Sequence, residues 1–123
     1  MFLGATPQEA VPLLSRLGRL ALREPFRLKL APEMGAFRNG SIIWAGVEPC
    51  SALFALRSRL SAMLRENGFP GGDEPFTPHI TVGRGMRLTA PPPLIAPESF
   101  EAARVTLFES ARVDGRLTFR PIG

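Results

Sequence analysis

The sequence is short of several things at once: it has one cysteine, one histidine, a single lysine at Lys29, and no apolar run of membrane-spanning length. With Cys50 alone there is no internal disulfide framework and no cysteine-based metal site, so Cys50 reads as an idle or buried thiol. One histidine, His79, excludes a histidine-rich metal cluster. Asp73, Glu74 and Asp114 are scattered without the spacing of a calcium loop, and no metal or other cofactor is expected. No stretch reaches the roughly 18 to 20 apolar residues of a membrane span, and Met1 to Ala5 is too short and lacks the basic flank of a signal peptide. The expectation is a soluble, cytoplasmic protein with no membrane partner.

What is present suits one compact domain of 123 residues. The net charge of +4 would serve an anionic partner such as RNA, although nearly all of it is arginine, a bias that a GC-rich coding sequence also produces. Gly83-x-Gly85 lacks the third glycine of a dinucleotide fingerprint, and no lysine follows a glycine-rich turn as a phosphate-binding loop requires.

Along the chain, Thr6-Pro7-Gln8-Glu9 has the form of a capping box, and Leu13, Leu14, Leu17, Leu20 and Ala21 recur at helical spacing behind it. Phe26, Leu28 and Leu30 alternate with Arg27 and Lys29 as in a half-buried strand. A turn-rich stretch ending in Asn39-Gly40 leads into a second strand, Ser41 to Val47, expected to lie beside the first. Pro49 to Asn67 is a helix carrying Leu53, Leu56, Leu60, Met63 and Leu64 on one face, with Gly68 as its C-terminal cap. Pro78 to Gly83 is a short strand, Arg87 to Ser99 a long proline-rich loop, and Arg104 to Ser110 with Gly115 to Pro121 an antiparallel pair turning at Val113-Asp114-Gly115. The order is helix, two strands, helix, three strands. It implies an α+β fold with helices packed on the outside of antiparallel sheet.

In an extended strand, residues two apart face the same way, so His79 and Thr81 present an imidazole and a hydroxyl together. Ile80 and Val82 face the other way, where burial against a helix would hold the strand rigid. Trp44 and the phenylalanines could stack on a base, but their apolar strand settings favour core packing first.

The string Phe76-Thr77-Pro78-His79-Ile80-Thr81-Val82-Gly83-Arg84 resembles the second signature of the 2H phosphoesterases, in the bacterial RNA 2′,3′-cyclic phosphodiesterase (2′-5′ RNA ligase-like) family. Phe2-Leu3-Gly4 resembles the end of the strand that carries that family's first signature, and Phe26 to Leu30, Gly35-Ala36-Phe37 and Ile42 to Val47 resemble the next strands in the same order. Val105 to Ser110 and Gly115 resemble the closing hairpin. The resemblance implies a bilobal enzyme in which two His-x-Thr/Ser elements flank a cyclic phosphate and work without metal. His79 and Thr81 are then catalytic, and Arg84 binds substrate. This chain has one such element, so it reads as a single but incomplete 2H phosphoesterase-like domain over residues 1–123, without the family's opening strand-helix-strand. The partners implied are RNA or nucleotides with a cyclic phosphate end. Three arrangements stay open: a native protein extending upstream of Met1, a homodimer through an exposed sheet edge, and a catalytically inactive module that binds RNA or nucleotide phosphate.

Overall fold

The structure, a computed structural model, describes residues 1–37, 40–72, 74–85 and 98–123. In chain order it contains helix α1 (Val11–Ala21), strands β1 (Phe26–Phe37) and β2 (Ile42–Val47), helix α2 (Ser51–Glu66), and strands β3 (His79–Arg84), β4 (Ser99–Ala102), β5 (Phe108–Val113) and β6 (Arg116–Pro121). This is the expected α+β class with antiparallel sheet, and it forms two compact units.

One unit, Phe26–Ser51 with Pro75–Ala102, holds a four-stranded antiparallel sheet in the order β3-β2-β1-β4. Strand β1 is longer than its sequence suggests because it serves two partners. Phe26 to Lys29 pair with β4, and Leu30 to Phe37 pair with β2. Its ladder slips between Leu30 and Met34, and Pro32 falls in that break, where a missing N–H costs no regular hydrogen bond. Strand β4 starts at Ser99, the last residue of the expected loop, and runs on through three residues for which no element was expected. The rest of that loop, residues 87–97, is outside the described residues, as is Asn39 of the expected tight turn. Gly40, with φ +88°, has the left-handed backbone such a turn uses.

Central strand β2 buries Ile43 and Ala45 on one face. Ile80 and Val82, expected to be buried, are instead 39% and 56% exposed. The reason is their position, since among the described residues β3 is an outer strand of this sheet with one paired neighbour.

The other unit, Met1–Pro25, Ala52–Glu74 and Ala103–Gly123, holds α1, most of α2 and the β5–β6 hairpin. Leu14, Leu17 and Leu64 are its buried core, with Leu3, Leu60, Met63, Phe69 and Leu107 packed against them. Fully burying one such side chain is worth roughly 1.5–3 kcal/mol. Helix α2 ends as expected. Gly68, at φ +82°, lets its own amide donate to the Arg65 carbonyl and the Phe69 amide donate to that of Leu64, 3.1 and 2.9 Å away.

The start of α1 differs from the capping box. The Thr6 hydroxyl donates to the Gly4 carbonyl at 3.0 Å and caps nothing, a 3-10 turn fills Gln8–Ala10, and the α-helix opens at Val11 with Pro12 in its first turn. Proline lacks the N–H that a longer helix would need there, which sets the later start. Residues 1–7 have no regular structure, so Phe2-Leu3-Gly4 is not a strand end, and among the described residues no strand pairs with it.

The last pair begins at Phe108 rather than Arg104 and closes through Asp114 and Gly115, both at positive φ (51° and 76°), the backbone of a two-residue type I′ turn. Every residue of β5 and β6 is exposed. The register gathers Phe108, Leu117 and Phe119 on one face and Glu109, Thr118 and Arg120 on the other, where Arg120 pairs with Glu109.

Candidate active site

Strand β3 opens at His79 because Pro78 has no N–H to continue a ladder, while the Pro78 carbonyl still accepts from the Val47 amide at 3.3 Å. His79 lies opposite Gly46 and Thr81 opposite Trp44. Imidazole and hydroxyl therefore share a face, as the alternation implies.

The His79 ring is held by its Nδ1, 2.6 Å from the Thr77 carbonyl oxygen. A carbonyl can only accept, so Nδ1 is the donor in this contact, and Nε2 is the ring nitrogen that remains for a ligand. The side chain is exposed. Nε2 is thus placed to take a proton from a bound group, or to return one.

Strict alternation from His79 and Thr81 would turn Arg84 to the opposite face. The register shows otherwise. Trp44 faces Thr81, but the next residue back on β2, Ile43, faces Gly83, so β3 carries one extra residue at Val82. Beyond this bulge Arg84 is opposite Ile42, which shares a face with Trp44. The bulge brings a guanidinium to the side that holds the imidazole and hydroxyl.

Three residues of this face were not assigned to the site from sequence. Phe37 pairs with Ile42 and Gly35 with Trp44, which sets them on the His79 face as well. The rings of Phe37, Trp44 and His79 form a cluster, with centroids 5.3 Å apart for Phe37–Trp44, 5.2 Å for Phe37–His79 and 6.0 Å for Trp44–His79. Gly35 makes room for it, since a Cβ there would sit 2.2 Å from Trp44 Cζ2. The signal was present in principle. A hairpin closing near Asn39-Gly40 fixes which residues of its two strands share a side, and it aligns Phe37 and Gly35 with Trp44.

An imidazole with a free Nε2, a hydroxyl and a guanidinium on one surface can exchange a proton and hold an anion. Among the described residues no three histidine, cysteine or carboxylate side chains gather as metal ligands.

Residues 1–115 match the family model of the 2′-5′ RNA ligase superfamily. The chain belongs to the 2′-5′ RNA ligase superfamily. Two RNA 2′,3′-cyclic phosphodiesterases are similar to it. That of Escherichia coli K12 is 29% identical over 98% of this chain and 69% of its own length. That of Thermus thermophilus is 36% identical over 81% of this chain and 54% of its own, so the match spans about half of that protein. In three dimensions this member of the superfamily is similar to E. coli LigT complexed with 3′-AMP, with a TM-score of 0.73 at 28% identity over 100% of this chain and 71% of that one. LigT has also been solved with ATP and with NADP⁺.

Proposed function

We propose that this chain carries the phosphate-handling half of an RNA 2′,3′-cyclic phosphodiesterase. The observation that supports it most is the side-by-side placement of His79, with Nδ1 tied to Thr77, and Thr81 on one face of β3. Hydrolysis of the cyclic ester adds a water oxygen to phosphorus and breaks one ribose O–P bond. The proton lost by water and the proton gained by the departing ribose oxygen need two groups on opposite sides of phosphorus. His79 Nε2 is one of them, worth typically about 10² to 10⁴ in rate. Thr81 donates to a non-bridging oxygen, where charge grows in the transition state, and Arg84 adds a positive charge on the same side. The names of the similar phosphodiesterases and the 3′-AMP complex of LigT support this choice of substrate.

The sequence holds one histidine, so a mechanism with two imidazoles draws the second from outside these 123 residues, from residues upstream of Met1 or from a second copy. The test is hydrolysis of RNA ending in a 2′,3′-cyclic phosphate by this chain, by an upstream-extended chain and by the extended chain bearing His79→Ala. The extended chain turns over, and H79A lowers its rate by about 10² to 10⁴. An H79A protein with the full rate sinks the assignment. The single histidine also supports a second reading, a module that holds the cyclic end without opening it. Saturable binding with no product from the extended chain selects that reading.

A further inference from the structure

The face that carries His79 does not end at the histidine. Gly46 lies opposite His79, and two residues further along comes Glu48, whose amide donates to the Lys29 carbonyl at 2.8 Å and so sets Lys29 of β1 across from it. Residues two apart in a strand share a side, so both side chains stand on the His79 face. The Lys29 ammonium is 3.9 Å from the Glu48 carboxylate, and the two side chains are 51% and 44% exposed. The phosphate chemistry assigned to His79, Thr81 and Arg84 uses neither. We propose that Lys29 and Glu48 form the subsite for the nucleotide that precedes the cyclic end of an RNA strand, an inference that rests on the phosphoesterase reading. Lys29 takes the phosphodiester that joins this nucleotide to the terminal one, and Glu48 takes its 2′-hydroxyl.

Three features argue for a subsite rather than an idle surface pair. The first is spacing. Lys29 is two strands from His79 and one step of two residues along them, which puts their Cα atoms roughly 12 Å apart from strand spacings alone. The flexible lysine stem, leaning along the face, reduces that gap to about the length of one nucleotide. The second is availability. At 3.9 Å the ammonium is beyond hydrogen-bond length from Glu48, and it has no other partner among the described residues, so its N–H groups are open to an acceptor. An exposed pair at this separation adds little to folding, and the fold loses little when the ammonium turns to a ligand. The third is the match in kind. On an RNA strand the 2′-hydroxyl is next to the phosphodiester on its own 3′ oxygen, a donor beside an anion, and the pair presents an acceptor beside a cation. A cation alone would hold any phosphate. The carboxylate beside it repels free phosphate and accepts from a hydroxyl, and the 2′-hydroxyl is what separates RNA from DNA.

The experiment titrates the chain, by calorimetry, with adenosine 3′-monophosphate, with diadenosine bearing a 3′-terminal phosphate, and with the same dinucleotide whose first sugar is 2′-deoxyribose. The all-ribose dinucleotide binds about 10-fold tighter than the mononucleotide, as one charge-assisted hydrogen bond should give, and the deoxy form loses about threefold of this gain. Lys29→Met keeps the length of the stem, leaves the far-ultraviolet circular dichroism unchanged, and brings the dinucleotide and mononucleotide affinities together. Glu48→Ala makes the ribose and deoxyribose forms bind alike. His79→Ala weakens all three ligands. A mononucleotide that binds as tightly as the dinucleotide, or a K29M protein with the full preference, overturns the subsite and leaves the phosphate reading standing. Equal binding of the two dinucleotides by the unaltered chain overturns the role of Glu48. Binding of none of the three overturns the subsite and the phosphoesterase reading together.

Discussion

The four-stranded sheet and the β5–β6 hairpin are both antiparallel ladders, and they are supported in different ways. In the sheet, central strand β2 has a paired neighbour on each side and buries Ile43 and Ala45, each 4% exposed. In the hairpin all twelve paired residues are exposed, and order comes from the Asp114-Gly115 turn, the Glu109–Arg120 pair and a tether at its base, where Leu107 exchanges backbone hydrogen bonds with Ile122 and Gly123 at 2.9 and 3.0 Å. Ladder hydrogen bonds add little net stability, since water replaces them when the strands part. A two-stranded ribbon is therefore marginal, whereas a sheet with a buried face is not. The candidate site is on the supported ladder, as a catalytic geometry held to a fraction of an ångström requires.

The sharpest break of this contrast is a matched pair of truncations. Ile43→Ala in β2 costs about 2–5 kcal/mol in urea unfolding, by lost burial and the cavity left behind. Phe108→Ala in β5 stays below about 1 kcal/mol, the usual range for surface positions. Similar values for the two would erase the distinction. A smaller effect is expected from Gly35→Ala, whose new methyl collides with the Trp44 ring. It costs about 1–3 kcal/mol by overpacking, and the displaced indole shifts its emission to the red. Unchanged stability and emission would mean that the cluster is not wedged as described. Smallest is Gly115→Ala, at a φ of +76°, with about 1 kcal/mol of backbone strain. Amide exchange should then rise in β5 and β6 and stay level in β2, and a rise in both would show the two ladders to be coupled.

Much of the fold was legible because its signals are local. Gly68 after a helical stripe, Asp114-Gly115 between short apolar runs, and alternation through His79-Ile80-Thr81 all act within a few residues, and each is where the sequence places it. What was missed depends on distant partners. Ser99 to Ala102 is four residues with no pattern of its own, and becomes a strand by pairing with the first half of β1. Strand β1 runs on through Pro32 because its ladder with β2 slips there, between Leu30 and Met34, an event that composition does not record. At the site, His79 and Thr81 were readable from spacing alone. The side on which Arg84 emerges was not, since one extra residue at Val82 reverses the parity of everything after it. Trp44 looked like core from its apolar neighbours, and it is half-buried on the His79 face, because Gly35 on the adjoining strand leaves a place for the ring.

The bulge at Val82 bears on more than the aim of one side chain. Strand β3 is an outer strand of its sheet among the described residues, and an outer strand offers a row of amides and carbonyls on which a foreign segment can grow. An inserted residue breaks that row after Thr81 and twists the rest of the strand, so an incoming segment loses its register within a few residues. A regular ladder in its place would turn Arg84 away from the imidazole and leave a straight template for aggregation beside the histidine. Val82 thus makes the edge that bears the site a poor seed for intermolecular sheet.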